Sequence, residues 1–285
     1  MSVEVCKRFE SIRKWLSYEV IVGIHKNFDE NLNKYCDKGS CDDPFEKVNA
    51  GCLYLFDEFF GGFTPFNSVA NRNINIVDYI LIWLGYMLNL TIAKDNGSIE
   101  TFYNTYINND RRYNTKIKDV TGYHTYNDLI YIKEDLMSID IKTMSKFYDA
   151  FILLCDICTG VDENSSNCGN YLEKAKKFVE IYDEFNEDYY NGRDSPYNQL
   201  LSTLSDDYYN LKSICYDFPL LPTYSRKYVI KSTLIPIAFI FVAVSIFLGI
   251  AYKYSSLGFR KRFQKQCLRE RIKNIKKKLI INKLF

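Results

Sequence analysis

Cysteine is the residue type in this chain with the most chemistry available to it. Nine are present, and eight of them, Cys6, Cys36, Cys41, Cys52, Cys155, Cys158, Cys168 and Cys215, precede a long apolar run near the C-terminus. A thiol can cross-link, hold a metal or act as a nucleophile. An even number on one side of such a run suits disulfides, provided that side faces an oxidising compartment. All eight are therefore candidate disulfide cysteines, with the pairing left open by the spacing. Cys36 and Cys41 bracket a turn, and Cys158 and Cys168 flank a polar loop, which is where bridges can staple a helical domain. Cys155-Asp156-Ile157-Cys158 has the CxxC spacing of zinc and redox sites. It lies on an apolar helical stretch with no second CxxC and no His pair, so a buried apolar role for Cys155 is the simpler reading. Cys267 follows the run, and nothing around it favours palmitoylation over a free thiol.

Other chemistry is poorly supplied. The sequence contains no GxxxxGK[ST], GxGxxG, HExxH or GxSxG. His25 and His124 are isolated. Acid pairs such as Asp206-Asp207 and Glu187-Asp188 read as solvated helix faces, and Tyr and Phe at helical spacing read as core. Asn89-Leu-Thr91, Asn96-Gly-Ser98 and Asn164-Ser-Ser166 fit the glycosylation pattern, which an Asn-rich chain produces by chance. No catalytic residue, no metal site and no cofactor is expected, and the chain is read as a non-enzyme.

The elements that carry these residues divide sharply. Ser232 to Tyr252, STLIPIAFIFVAVSIFLGIAY, holds no charge. As a helix it reaches ~30 Å, the thickness of a bilayer's hydrocarbon core. The tail after it, Lys253 to Phe285, carries twelve Lys or Arg against one acid, Glu270, a net +11, while residues 1–231 carry 25 basic and 34 acidic residues, a net −9. Basic segments beside a span stay cytoplasmic. The expected order is an ectodomain (1–225), a juxtamembrane linker (226–231), one transmembrane helix (232–252) and a basic cytoplasmic tail (253–285), N-out and C-in. The N-terminus MSVEVCKRFESIRKWLSYEV offers no apolar leader, so the span is expected to act as the targeting element.

Within the tail, Leu268, Ile272, Ile275 and Leu279 recur at helical steps among Arg260, Lys261, Arg262, Lys265, Arg269, Arg271, Lys273, Lys276, Lys277 and Lys278. Such a helix suits contact with anionic lipid or a cytoskeletal partner, each basic residue near an anionic surface being worth ~1 kcal/mol. A plain topology-fixing stub satisfies the same residues. Its position beside a span favours lipid over nucleic acid.

The ectodomain reads as all-α. Tyr171, Ala175, Phe178, Tyr182 and Phe185 form one apolar stripe, as do Met144, Phe147, Phe151, Leu154 and Cys158. Ile76 to Ala93 is apolar nearly all round, and its Asp78 argues for a buried central helix rather than a second span. Cys36–Pro44, Gly61–Pro65, Asp162–Cys168, Asn191–Pro196 and Leu220–Tyr224 are read as joints.

The ordered pieces CDKGSC (36–41), NAGCLYLFDEFFG (49–61), NIVDYILIWLGYMLN (75–89) and MSIDIKTMSKFYDAFILLCDICT (137–159) resemble the PIR variant antigens of Plasmodium, in particular the YIR/CIR/BIR group of rodent parasites. CGNYLEKAKKFVEIYDEFN (168–186), YNQLLSTLSDDYYNLK (197–212) and SSLGFRKRFQKQCLRERIKNIKKK (255–278) continue the series. The resemblance implies a single-span protein exported to the infected host red cell or its surface, acting in host interaction or immune evasion by binding an unknown receptor. It transfers no catalytic or binding residue. An intracellular or vacuolar scaffold with the helical domain facing inward is the alternative.

Overall fold

The structure is a computed structural model that describes residues 1–17, 28–37, 39–91, 98–118, 122–161, 167–189, 196–222 and 235–281. It falls into two compact units, Met1–Ser225 and Arg226–Phe285. The described residues contain helices and turns and no strand.

The first unit is built from six main helices: α1 (Val3–Trp15), α2 (Pro44–Phe60), α3 (Ile76–Thr91), α4 (Ile141–Gly160), α5 (Leu172–Tyr189) and α6 (Tyr197–Ile214). Their starts follow from local chemistry. The Asp43 carboxylate accepts from the amides of Phe45 and Glu46, with Pro44 in the first turn, and so opens α2. Asp140 does the same for α4 through Lys142 and Thr143, and the Ser2 hydroxyl caps α1.

α3 is the hub. It is buried on every side from Ile76 to Gly85, so it must be covered all round. α4 lies along it most extensively, with α2 on another flank, and α4 in turn carries α1, α5 and α6. The close approach of α3 and α4 depends on Gly85. A Cβ placed there would sit 2.4 Å from Met144 Cβ. Aromatic rings fill the seams. Phe151 meets Phe9 edge-on at 4.7 Å and stacks with Tyr79 at 4.4 Å, while Phe147 stacks on Phe185 at 3.8 Å.

Charges sit inside this core, and one of them departs from expectation: Asp207 on α6, read as part of a solvated face, is buried and paired with the N-terminal amine of Met1 and the Tyr79 hydroxyl. Asp78, in the first turn of α3, is fully buried and pairs with Lys133 Nζ at 2.9 Å. Its oxygens also accept from Gln199 Nε2 at 3.0 Å and Thr203 Oγ1 at 2.8 Å, both on α6. Lys133 donates a second bond to Asn75 Oδ1. The carboxylate thus joins α3, the turn after Tyr126–Tyr131 and α6. Ile76–Thr91 is a core helix held by this pairing, and the reading of it as buried agrees with its surroundings.

The second unit is described as one helix, α7 (Ile235–Ile281), of 47 residues, ~70 Å in length. Its described side chains are exposed, including Phe239, Phe247 and Leu248. Among the described residues no helix is long and apolar enough to cross a membrane. The uncharged run Ser232–Tyr252 joins α7 at Ile235. The linker 226–231 and Ser232–Leu234 lie outside the described residues.

Two outcomes test this packing. Gly85→Ala is expected to destabilise the first unit by ~1–3 kcal/mol in denaturant titration, because the added methyl meets a side chain on a packed helix rather than open space. Lys133→Met is expected to cost ~3–5 kcal/mol at neutral pH by leaving Asp78 buried without its partner. Burial already raises the Asp78 carboxyl above the usual carboxylate range, against the pull of Lys133. A raised carboxyl contributes most stability when protonated and loses it as pH rises through the folded value. The Lys133→Met deficit is therefore expected to shrink as pH is lowered from 7 toward 5, and a deficit that does not change with pH contradicts this account.

Candidate disulfide frame and surface grooves

The cysteines are placed by the helices described above. Cys6 on α1 is bonded to Cys155 on α4, with Cα atoms 5.1 Å apart across a sequence separation of 149. Cys168, in the turn before α5, is bonded to Cys215 just past α6, at a Cα separation of 5.6 Å. Cys36 and Cys41 close a five-residue separation across the turn before α2. One long bridge ties α1 to α4, and the other ties the start of α5 to the end of α6. Cross-linking loops of that length restricts the unfolded chain by roughly 4–5 kcal/mol each in the chain-entropy view.

Cys52 and Cys158 depart from the expectation that all eight join disulfides, because both are free thiols. Cys52 lies on α2 and is fully buried. Burial pushes its thiol up to about 12, slightly opposed by a contact with Tyr113, so it stays protonated. Cys158 is half-buried one helical turn beyond Cys155, and burial raises its thiol too. The CxxC pair therefore does not act together: its first sulfur is bonded to Cys6. Cys267 is free and exposed on α7. Spacing could flag the turn-bracketing pair. The Cys6–Cys155 bond follows only from the docking of α1 on α4.

The short Cys36–Cys41 loop is held from outside. Arg112 Nη2 reaches Asp37 at 2.8 Å and Asp110 at 2.6 Å, and its Nη1 donates to the Tyr35 carbonyl. Burial alone would raise the Asp110 carboxyl, yet hydrogen bonds from Arg112 outweigh it and hold it below the usual range. A groove of ≈ 530 Å³ opens here, lined by Tyr35, Asp37, Glu46, Tyr106, Arg111 and Arg112 among others. A second groove, ≈ 700 Å³, lies between the Ile99–Phe102 and Glu134–Ser138 turns. Glu100, Asp128, Glu134 and Asp135 line it with Tyr103 and Tyr131. Neither groove presents a nucleophile paired with a base. Both are open grooves lined by charged and aromatic side chains together.

Of the tail residues, Arg260, Lys261, Arg262, Lys265, Arg269, Arg271, Lys273, Lys276 and Lys277 are exposed on α7, and the Lys278 side chain lies outside the described residues. Asn89 is half-buried within α3 rather than on a surface loop, while Asn96, Asn164 and His25 lie outside the described residues.

Comparison with known proteins places this geometry. The model of the family described as Plasmodium variant antigen protein Cir/Yir/Bir matches residues 6–253. A solved structure described as a Plasmodium PIR protein ectodomain aligns with a TM-score of 0.59 at 29% identity, covering 78% of this chain and 97% of that one. No curated protein matches.

Alkylation followed by peptide mass spectrometry is the direct check on the frame. Without reductant, Cys267 is expected to label in the folded protein, Cys158 much more slowly and Cys52 only after unfolding. Cys6, Cys155, Cys36, Cys41, Cys168 and Cys215 are expected to label only after reduction. Labelling of Cys6 in unreduced protein would contradict the assignment.

Proposed function

Because this chain belongs to the Plasmodium variant antigen family Cir/Yir/Bir, we propose that it is a single-span surface antigen whose helical domain is displayed for contact with the host. The family is one of variant antigens rather than of enzymes, and its fold is the all-helical PIR ectodomain. The observation that carries the proposal is the ordered match over residues 6–253, which spans the cysteine-tied helical unit and runs into the apolar segment. Support for the outward placement comes from the three disulfides, which persist in oxidising surroundings. Support for the anchor is the uncharged run Ser232–Tyr252, with the net +11 tail on its cytoplasmic side.

Binding is the expected mode of action. The core of the first unit is filled by side chains such as Trp83, Tyr79 and Phe56, so recognition falls to its outer surface and grooves. Export to the infected red cell and a part in immune evasion extend the family reading. The inward-facing scaffold is disfavoured because reducing surroundings work against those bonds.

Protease added to intact infected red cells is expected to remove an epitope placed before Ser225. A tail epitope should remain protected and resist alkaline extraction. If the N-terminal epitope is cut only after permeabilisation, the domain faces inward and the proposal fails.

A further inference from the structure

The charge and exposure pattern of α7 points to a lipid-reading device. We propose that its segment Lys265–Lys277 lies flat on an anionic phospholipid surface, which rests on the reading of Ser232–Tyr252 as a span. Three large aliphatic side chains in this segment, Leu268, Ile272 and Ile275, are 60%, 52% and 58% exposed. At 3.6 residues per turn they fall on one narrow line along the helix. Burying such a line is favourable, and nothing in the described structure covers it.

The charges are arranged around that line in a way that selects the occupant. Arg269 and Lys276 lie on one flank and Arg271 on the other, while Lys273 and Lys277 occupy the far face. Flanking basic residues can lay their aliphatic stems along an apolar surface and keep their charge at the headgroups. The single acid of the tail, Glu270, falls on the far face, away from the apolar line. A phosphate-bearing surface is thus met by aliphatic and basic groups only. A second copy of the tail would meet a like net charge of +11, which disfavours self-association through this face.

The helix must turn to reach the surface. α7 continues unbroken past the apolar run, so a straight helix carries the segment away from the bilayer. Ser255-Ser256-Leu257-Gly258 lies between the run and the segment, and Gly/Ser pairs are where helices kink sharply. Lys261 falls on the line of Leu268 and Ile272, and so the docked stretch begins after it. The bend is favoured when the leaflet is anionic, and the segment then reports on lipid charge.

The test uses the full chain, with Cys267→Ser as background and a single tail thiol at Ile272→Cys or Gln266→Cys. The second position lies on the far face. Each variant is reconstituted, tail outward, into vesicles of phosphatidylcholine alone or with about 30% phosphatidylserine. Labelling by a water-soluble maleimide is followed at that peptide by mass spectrometry. In anionic vesicles position 272 is expected to label roughly tenfold more slowly than position 266, with high salt reducing the difference. In phosphatidylcholine the two positions are expected to label alike. Retained protein with equal rates in both vesicles overturns the lipid contact. Protection at 272 in both vesicles, together with oxidative cross-linking to a second copy, also overturns it, in favour of self-association. Release of the protein by alkaline extraction overturns the span itself, and the lipid contact falls with it.

Discussion

The first unit is organised around a helix that has no polar face to give to water. α3 is apolar on all sides over most of its length, so its neighbours must enclose it. α4 covers one flank across the Gly85 contact and α2 another, where Gly51 leaves room for Trp83. These glycines act through volume rather than through backbone freedom. Each gives up its side chain so that two packed elements can approach. Asp78 then fixes how the enclosure closes, because a buried carboxylate tolerates few arrangements. Only with Lys133, Gln199 and Thr203 around it is its charge compensated.

The disulfides lie outside this central packing and serve a different purpose. α1 and the ends of α5 and α6 are peripheral; one bond holds α1 to α4 and the other joins the ends of α5 and α6. A fold whose specificity resides in an enclosed helix and whose edges are covalently tied places few demands on its outer residues. That division suits a protein whose surface is its working part. It also explains the uneven fate of the thiols. Those at the edges are oxidised, while Cys52 is sealed in α2 and kept protonated by burial.

Charge separates the two units as firmly as packing does. A net −9 before the apolar segment and +11 after it leave one end acidic and the other basic. The acidic groove between Ile99–Phe102 and Glu134–Ser138 is a local expression of the first, and the basic flanks of α7 of the second.

Much of this was legible in the residues. Apolar spacing around Phe147 and Phe178 gives α4 and α5 directly, since a buried helical stripe must repeat every three to four positions. The Asp caps of α2 and α4, the all-round apolarity of α3 and the charge asymmetry are likewise local properties. What the sequence could not convey were relations between distant positions. Nothing near Asp78 announces Lys133, and nothing near Cys6 announces Cys155, because those pairs form only when separate helices dock. The same holds for the two free thiols. Composition made all eight cysteines equivalent, and tertiary packing alone decided which sulfurs came within bonding reach and which stayed apart as free thiols.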